Sequence, residues 1–134
     1  MLKPKLSTSN SKNFLSIDYG TKKVGLAISI SGIISPLSVI KNDQNCIKKI
    51  QSIIDEYNVS KVFVGLSIGN FAKKTLAFVD QLSVMLKCSI ETVEESVSTI
   101  EATQIFFDNK GKKKNYKNKI DAISASVILR RALS

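Results

Sequence analysis

Residues 14–29, FLSIDYGTKKVGLAIS, decide the fold of this chain. Two apolar runs flank a Gly-Thr-Lys-Lys turn, a pattern that predicts an antiparallel strand pair at 14–19 and 24–30. The first strand carries a carboxylate, Asp18, among residues that should be buried. Because burying an unpaired carboxylate is very unfavourable, Asp18 should either be ion-paired or capped locally, or bind a cation.

The chain is long enough for one domain with a proper core, at 134 residues. Residues 1–13, MLKPKLSTSNSKN, predict a flexible basic and polar tail, which leaves 14–134 as a single domain. No apolar run reaches the length of a membrane span, so we expect a cytoplasmic protein with no membrane partner. The net charge of +9 indicates a polyanionic partner, most often nucleic acid, although a lysine-rich composition alone gives the same excess.

The sequence has no histidine, which excludes Ser-His-Asp and Cys-His catalysis and histidine-bound zinc. Cys46 and Cys88 form no CxxC pair and are expected to be reduced and structural. Any chemistry must therefore use carboxylates, lysines and hydroxyls.

The order of the predicted elements indicates an α/β fold. A third strand at 33–40 contains Pro36, which favours an edge strand or a bulge, and KVFVGL at 61–66 is typical of a central strand. Helices are predicted at 44–57, at 72–86 with Leu76 and Met85 on its buried stripe, from Ser98 onward and at 120–133, with a fifth strand at 89–93 and a basic loop at 109–119. Three antiparallel strands followed by β-α units give a ribonuclease H-like, mixed five-stranded sheet flanked by helices, an order that other α/β folds could share.

Three carboxylates are not explained as solvated charges or helix caps. Asp18 lies in a strand, Glu95 follows the fifth strand, and Asp121 precedes Ala125 by one turn on the apolar face of the last helix. Glu94 is an alternative to Glu95, because one residue of register decides which points inward. The alternative for Asp121 is helix-dipole stabilisation in the first turn, worth about 0.3–1 kcal/mol.

Three such carboxylates on one sheet would repel each other unless a hard divalent cation lay between them. Mg²⁺ and Mn²⁺ take oxygen ligands, and two ions about 3.5–4 Å apart can hold both the attacking water and the leaving oxygen of a phosphodiester. Together with the basic loop, this pattern predicts nucleic-acid cleavage.

Four segments carry motifs in a fixed order: FLSIDYGTKKVGLAIS, KVFVGLS, EESVSTIEA and KIDAISASVILRRAL. Together they resemble the pre-16S rRNA nuclease family, also called YqgF or Holliday-junction-resolvase-like, of the ribonuclease H-like superfamily. The resemblance implies that Asp18, Glu95 and Asp121 bind Mg²⁺ or Mn²⁺, as two ions, for endonucleolytic hydrolysis of phosphodiester bonds. It implies processing of precursor small-subunit ribosomal RNA, with the ribosomal subunit as a partner.

The sequence departs from the family pattern where phosphate is expected to bind. The arginine after the central glutamate is Ser96, the proline after Gly-Leu is Ser67, and Lys23 replaces a frequent arginine, which keeps the charge but loses the bidentate fork. A weakened or retargeted enzyme is therefore one reading of the sequence.

Basic residues near the predicted site are candidates for binding nucleic acid. Lys22 and Lys23 lie in the turn after Asp18. The densest group lies before Asp121, with lysines to contact phosphates and one tyrosine to stack on bases; its members are Lys110, Lys112, Lys113, Lys114, Tyr116, Lys117 and Lys119. A solvated flexible loop is the alternative for each lysine taken singly.

Three further interpretations remain open. One is a branched-DNA (Holliday junction) resolvase, and another is an inactive RNA- or ribosome-binding protein of the same fold, favoured by Ser96. A third is a sugar-kinase or actin-like phosphate-binding domain, because IDYGTKKVG resembles an Asp-x-Gly-Thr phosphate turn; such a domain needs a second Gly-rich loop and a longer chain. We expect a monomer or a homodimer.

Overall fold

The fold was analysed in a computed structural model that describes residues 12–66, 69–94 and 116–134, the side chains of 116–121 excepted. The five strands are β1 (Asn13–Tyr19), β2 (Lys23–Ile30), β3 (Ile33–Lys41), β4 (Val59–Leu66) and β5 (Ser89–Glu94). The helices are α1 (Cys46–Tyr57), α2 (Phe71–Met85) and α3 (Tyr116–Leu133). The strands form one sheet in the order β3-β2-β1-β4-β5. Because β1 is antiparallel to β2 and parallel to β4, the predicted mixed five-stranded sheet is confirmed.

The first three strands form an antiparallel meander, as the spacing of the turns predicts. Ser31 and Gly32, with φ of 51° and 88°, join β2 to β3 in a two-residue turn that needs left-handed backbone at both positions. Pro36 lies in β3, which is an edge strand, and the β2–β3 register shifts between Leu26 and Ala27. Pro36, which cannot donate to the ladder, therefore sits both on an edge strand and at a bulge.

Alternation along the strands produces a core on each face of the sheet. On one face, Ile17, Leu26 and Val64 pack against α1 and α2 through residues such as Ile50 and Leu82. On the other face, Ala27 and Phe63 pack against α3, which buries Ala125, Ile128 and Leu129. The central strand β4 contributes to both cores, as expected for a strand covered on both sides.

Three predicted details differ from the structure. β1 begins at Asn13, inside the expected tail, because the Asn13 side-chain amide donates to the Tyr57 carbonyl at 2.7 Å. Leu76 and Met85, expected on the buried stripe of α2, are 45% and 49% exposed, since α2 rests on the sheet through the narrower row of Thr75, Phe78 and Leu82. The helix expected from Ser98 lies outside the described residues.

The last helix begins at Tyr116, four residues before its predicted start at 120. Apolar periodicity marks only the part of a helix that packs against a core, whereas a polar first turn can extend into solvent with no such signal. Residues 116–119, predicted to belong to the basic loop, are therefore helical. No helix in the described segments is both long and apolar enough to cross a membrane.

Candidate functional site

One edge of the sheet collects the ends of three parallel strands. β1 is parallel to β4, and β4 is parallel to β5, so their carboxyl ends lie at the same edge. In open α/β sheets this is the edge where functional side chains gather. Asp18 is the second-last residue of β1 and Glu94 is the last of β5, so both lie at this edge.

Asp18 projects from the sheet on the face that α3 covers. Its neighbour Tyr19 lies on the opposite face, where its ring centroid is 4.4 Å from that of Phe78. Ser16, two residues before Asp18 and on the same face, is buried and donates a hydrogen bond from Oγ to the carbonyl of Ala125 in α3. Alternation along β1 therefore turns Asp18, which is partly buried, toward the α3 layer.

Glycines occupy the positions beside Asp18 on both neighbouring strands. Gly25 is its antiparallel partner on β2. On β4, Val64 pairs with Ile17, so the continuing register places Gly65 beside Asp18. Neither neighbour adds a side chain to the face that carries the carboxylate. A glycine inside a strand often marks a place where a ligand approaches the backbone closely, and this signal was present in the sequence but not used.

The structure describes one of the two candidate glutamates, Glu94, which is the last residue of β5. Val93 packs into the α3-side core and Ile90 into the opposite core. Alternation therefore puts the exposed Glu94 on the α1 and α2 side, away from Asp18. This result disfavours Glu94 as a partner of Asp18. Glu95 lies outside the described residues, and its role stays a prediction.

Asp121 lies in the second turn of α3, because the helix begins at Tyr116. The expectation that it occupies the first turn is therefore wrong, and the helix-dipole explanation weakens, since that effect is confined to the terminal turn. Asp121 is one turn before Ala125, whose carbonyl accepts the Ser16 hydrogen bond. Its side chain is outside the described part, so its metal-binding role stays a prediction.

Arg131 connects α3 to the end of β5. Its Nη1 donates to the carbonyl oxygen of Glu94 at 3.0 Å. The contact joins the helix that contains Asp121 to the residue directly before Glu95. Sequence reasoning missed this arginine because nothing in a single sequence pairs the last helix with the fifth strand.

The turn after Asp18 is held by Asn42, which follows β3. The Asn42 backbone N–H donates to the Lys22 carbonyl at 2.9 Å, and its side-chain Nδ2 donates to the Gly20 carbonyl at 2.7 Å. Lys22 and Lys23, both predicted to contact nucleic acid, are exposed here. Because Lys23 is two residues before Gly25 on β2, it lies on the same face as Asp18.

The remaining predicted nucleic-acid residues are only partly covered by the structure. Lys112, Lys113 and Lys114 lie outside the described residues. Tyr116 and Lys117 form the first turn of α3 rather than a loop, and their side chains are not described. Their contacts with nucleic acid stay predictions.

The donor chemistry at Asp18 fits a hard cation. No group of three potential metal ligands occurs among the described side chains, a set that leaves out Glu95 and Asp121. The one described candidate, Asp18, offers carboxylate oxygens at a position flanked by two glycines, and the sequence has no histidine. Oxygen ligands of this kind suit Mg²⁺ or Mn²⁺ and not a nitrogen- or sulfur-preferring metal.

The two thiols take no part in this site. Both are free, and burial raises the pKa of Cys46 and of Cys88 above the usual thiol range. They are therefore neutral thiols at physiological pH and poor nucleophiles. This agrees with their predicted structural role.

The fold is ribonuclease H-like and resembles the fold of Holliday junction resolvases. It matches T. thermophilus RuvC in complex with a Holliday junction substrate with a TM-score of 0.58 and 12% identity, over 90% of this chain and 96% of that one. It matches the Fowlpox virus resolvase bound to Holliday junction DNA with a TM-score of 0.54 and 14% identity, over 90% and 98% of the two chains. At these identities the likeness concerns the fold alone, and it confirms the predicted class.

Sequence comparison identifies the family. The model of the RuvX family, described as Holliday junction resolvase, matches residues 12–134, so the chain belongs to this family. A relative from Halothermothrix orenii is 30% identical over 86% of this chain and 89% of its own length, and one from a Sulfurihydrogenibium species is 34% identical over 86% and 85%. Both relatives are named "Putative pre-16S rRNA nuclease".

Proposed function

We propose that the protein is a metal-dependent endonuclease that hydrolyses phosphodiester bonds in precursor 16S ribosomal RNA. One observation carries the proposal: Asp18 lies at the carboxyl edge of a parallel strand, between two glycines, on the face covered by the helix that contains Asp121. Membership of the RuvX family and the names of the relatives support the same activity.

The carboxylates of Asp18, Glu95 and Asp121 would hold one or two Mg²⁺ or Mn²⁺ ions. Bound there, the ions would supply an activated water and neutralise charge on the departing oxygen. Gly25 and Gly65 add no side chain beside the Asp18 carboxylate, which favours the approach of a phosphate.

Neighbouring residues would position the substrate and the site. Lys22 and Lys23 bind the phosphates beside the cleaved bond, and Asn42 keeps their turn in place. Arg131 holds the end of β5 from which Glu95 follows. Such a task would bring the protein to the ribosomal subunit precursor in the cytoplasm, as a monomer or a homodimer.

Two other functions have specific support. The family description favours cleavage of a Holliday junction, in which the same carboxylates would act on branched DNA. Ser96, in place of the motif arginine, favours an RNA-binding protein with weakened or no catalysis.

The test incubates the full chain with a 16S precursor transcript or a four-way DNA junction, in EDTA, Mg²⁺ or Mn²⁺. We expect cleavage of the transcript only with a divalent metal. Asp18→Asn, which keeps the shape and removes the charge, should abolish cleavage, whereas Asp55→Asn, at an exposed acid of α1, should not. Metal should raise the thermal midpoint of the parent and of Asp55→Asn, but not of Asp18→Asn.

Each interpretation has a distinct result. Cleavage by Asp18→Asn at the parent's rate, with circular dichroism unchanged, would contradict the assigned site. Cleavage of the junction but not of the transcript would favour the resolvase. RNA binding by the parent with no cleavage under any metal would favour the inactive RNA-binding protein.

A further inference from the structure

The last residue of β3, Lys41, lies directly opposite Lys23 in the antiparallel β2–β3 pair. Both residues are exposed. Cross-strand partners have their Cβ atoms about 4.5–5.5 Å apart, and like charges at that distance destabilise the pair. Lys23 already has an interaction within the protein, so Lys41 is the residue of the pair considered for an external anion.

No acid among the described residues forms an ion pair with Lys41. The nearest acid in the sequence, Asp43, accepts a hydrogen bond from the Asn45 backbone N–H at 2.9 Å. The positive charge of Lys41 is therefore available to an external anion.

Lys41 faces the same side of the sheet as Asp18. Ile40 packs into the core on the α1 and α2 side, so alternation places Lys41 on the α3 side, as it does Lys23. Asp18 and Lys41 lie two strands apart in the sheet and are offset by two residues along the strand direction. Their Cα atoms are therefore about 12 Å apart. Asn42, which follows Lys41, fixes this end of β3 to the turn after Asp18.

We propose that Lys41 and Lys23 form a phosphate-binding pair that extends the nucleic-acid interface from Asp18 across β2 to the edge strand β3. Lys41 contacts the phosphodiester backbone of the nucleic acid two β-strands away from Asp18, whereas Lys23 contacts phosphates nearer to the cleaved bond. The proposal rests on the proposed function for the identity of that nucleic acid. Lys41 binds substrate in this arrangement and does not touch the reacting atoms.

The test measures binding without cleavage. Fluorescence anisotropy in EDTA follows a labelled single-stranded RNA, and a DNA of the same sequence, across a series of salt concentrations. Lys41→Ala should weaken binding of both by about three- to tenfold at low salt and reduce the slope of log K against log salt by about 0.7, the value for one phosphate contact on a single strand. Lys41→Arg should restore the affinity, and Lys41→Glu should weaken it further.

Lys74→Ala is the matched control. It removes the same charge from an exposed position in α2, on the other face of the sheet, and should leave the slope unchanged. With metal and saturating RNA, Lys41→Ala should keep the parent's kcat while its KM rises.

The outcomes separate this proposal from the proposed function. Equal behaviour of Lys41→Ala and Lys74→Ala, or no nucleic-acid binding by the parent, would overturn the phosphate pair. If Lys41→Ala weakened the binding of RNA but not of DNA, the phosphate pair would also be overturned, because a phosphate contact stabilises both nucleic acids equally. A parent that binds as expected but never cleaves would refute the nuclease and leave the phosphate pair standing.

Discussion

Replacing Gly20 with alanine should strain the turn that links Asp18 to Lys22 and Lys23. The new Cβ would lie 2.5 Å from the backbone carbonyl oxygen of Lys23, whereas ordinary contact begins at 3.4 Å. The two atoms must therefore separate by about 0.9 Å, the difference between these distances. The turn cannot relax freely, because Asn42 holds the Gly20 carbonyl at 2.7 Å and the Lys22 carbonyl at 2.9 Å.

This strain has a predictable size in stability and in activity. Forcing extra atoms into a fixed backbone costs about 1–3 kcal/mol, and the lower entropy of the unfolded alanine chain returns about 0.4–1 kcal/mol. Urea unfolding should thus show a net loss of up to about 2.6 kcal/mol, centred on about 1.3 kcal/mol, for Gly20→Ala. A turn displaced by nearly 1 Å beside Asp18 should lower kcat/KM for RNA cleavage by about a hundredfold.

A double-mutant cycle with Asn42→Ala tests whether the clamp resists the displacement. Asn42→Ala alone should cost about 0.5–1.5 kcal/mol for the lost hydrogen bond. In its background, the Gly20 carbonyl is no longer held, although the backbone hydrogen bond to Lys22 remains, so Gly20→Ala should cost at least about 0.5 kcal/mol less than in the parent. Thr21→Ala, at an exposed position of the same turn, is the control and should change stability by less than about 0.5 kcal/mol.

Two results would refute this reasoning. If the effects of Gly20→Ala and Asn42→Ala simply add, Asn42 does not restrain the turn. If Gly20→Ala matches the parent in both stability and cleavage, the close approach of Gly20 to Lys23 has no energetic consequence.

Three further predictions concern the space beside Asp18, the α3-side core and the thiols. Gly65→Ala adds a methyl group beside Asp18 and should lower kcat while RNA binding in EDTA is retained; an unchanged kcat would contradict the role of that space. Ile128→Ala empties a fully buried position between α3 and the sheet, so urea unfolding should show a loss of about 2–5 kcal/mol, and a loss below 1 kcal/mol would mean that the site collapses. Because burial raises the pKa of both thiols, iodoacetamide should alkylate the native protein slowly at neutral pH, with the buried Cys46 slower than the partly exposed Cys88. Because folding raises the pKa of both thiols, their contribution to the free energy of unfolding is fully present below the ordinary thiol pKa. This contribution is lost as the pH rises through the pKa values of the folded protein, and urea titrations at alkaline pH would measure the loss.

The sheet was predictable because its signals are local. Apolar alternation, the two hairpin turns and Pro36 indicate the meander and its edge strand, and the continuous run at 61–66 indicates a buried central strand. Helix ends were less predictable. The first turn of α3 is polar in sequence and therefore resembles a loop, so its start at Tyr116 was not predicted.

The site was predictable in its acids but not in their surroundings. Asp18 stands out because a carboxylate in an apolar strand is unfavourable unless it has a partner or binds a cation. The contacts of Asn42 with Gly20 and of Arg131 with Glu94 span 22 and 37 residues of chain, and no periodicity in one sequence encodes such pairs. Lys41 was overlooked because its significance depends on lying opposite Lys23, which is a property of register.

Register also explains why the segment at 14–29 holds so much of the site. In an antiparallel pair, the length of the turn decides which residues face each other, and a slip of one residue exchanges the two faces of the strand. The three residues between β1 and β2 set Gly25 opposite Asp18 and put Lys23 on the same face. If the turn had one residue more or fewer, Leu26 or Val24 would lie opposite Asp18 instead of Gly25. Lys23 would then point toward the core on the α1 and α2 side. The positions of the acid, of the glycine opposite it and of the nearby lysine therefore depend on one turn, which the Asn42 side chain holds at Gly20.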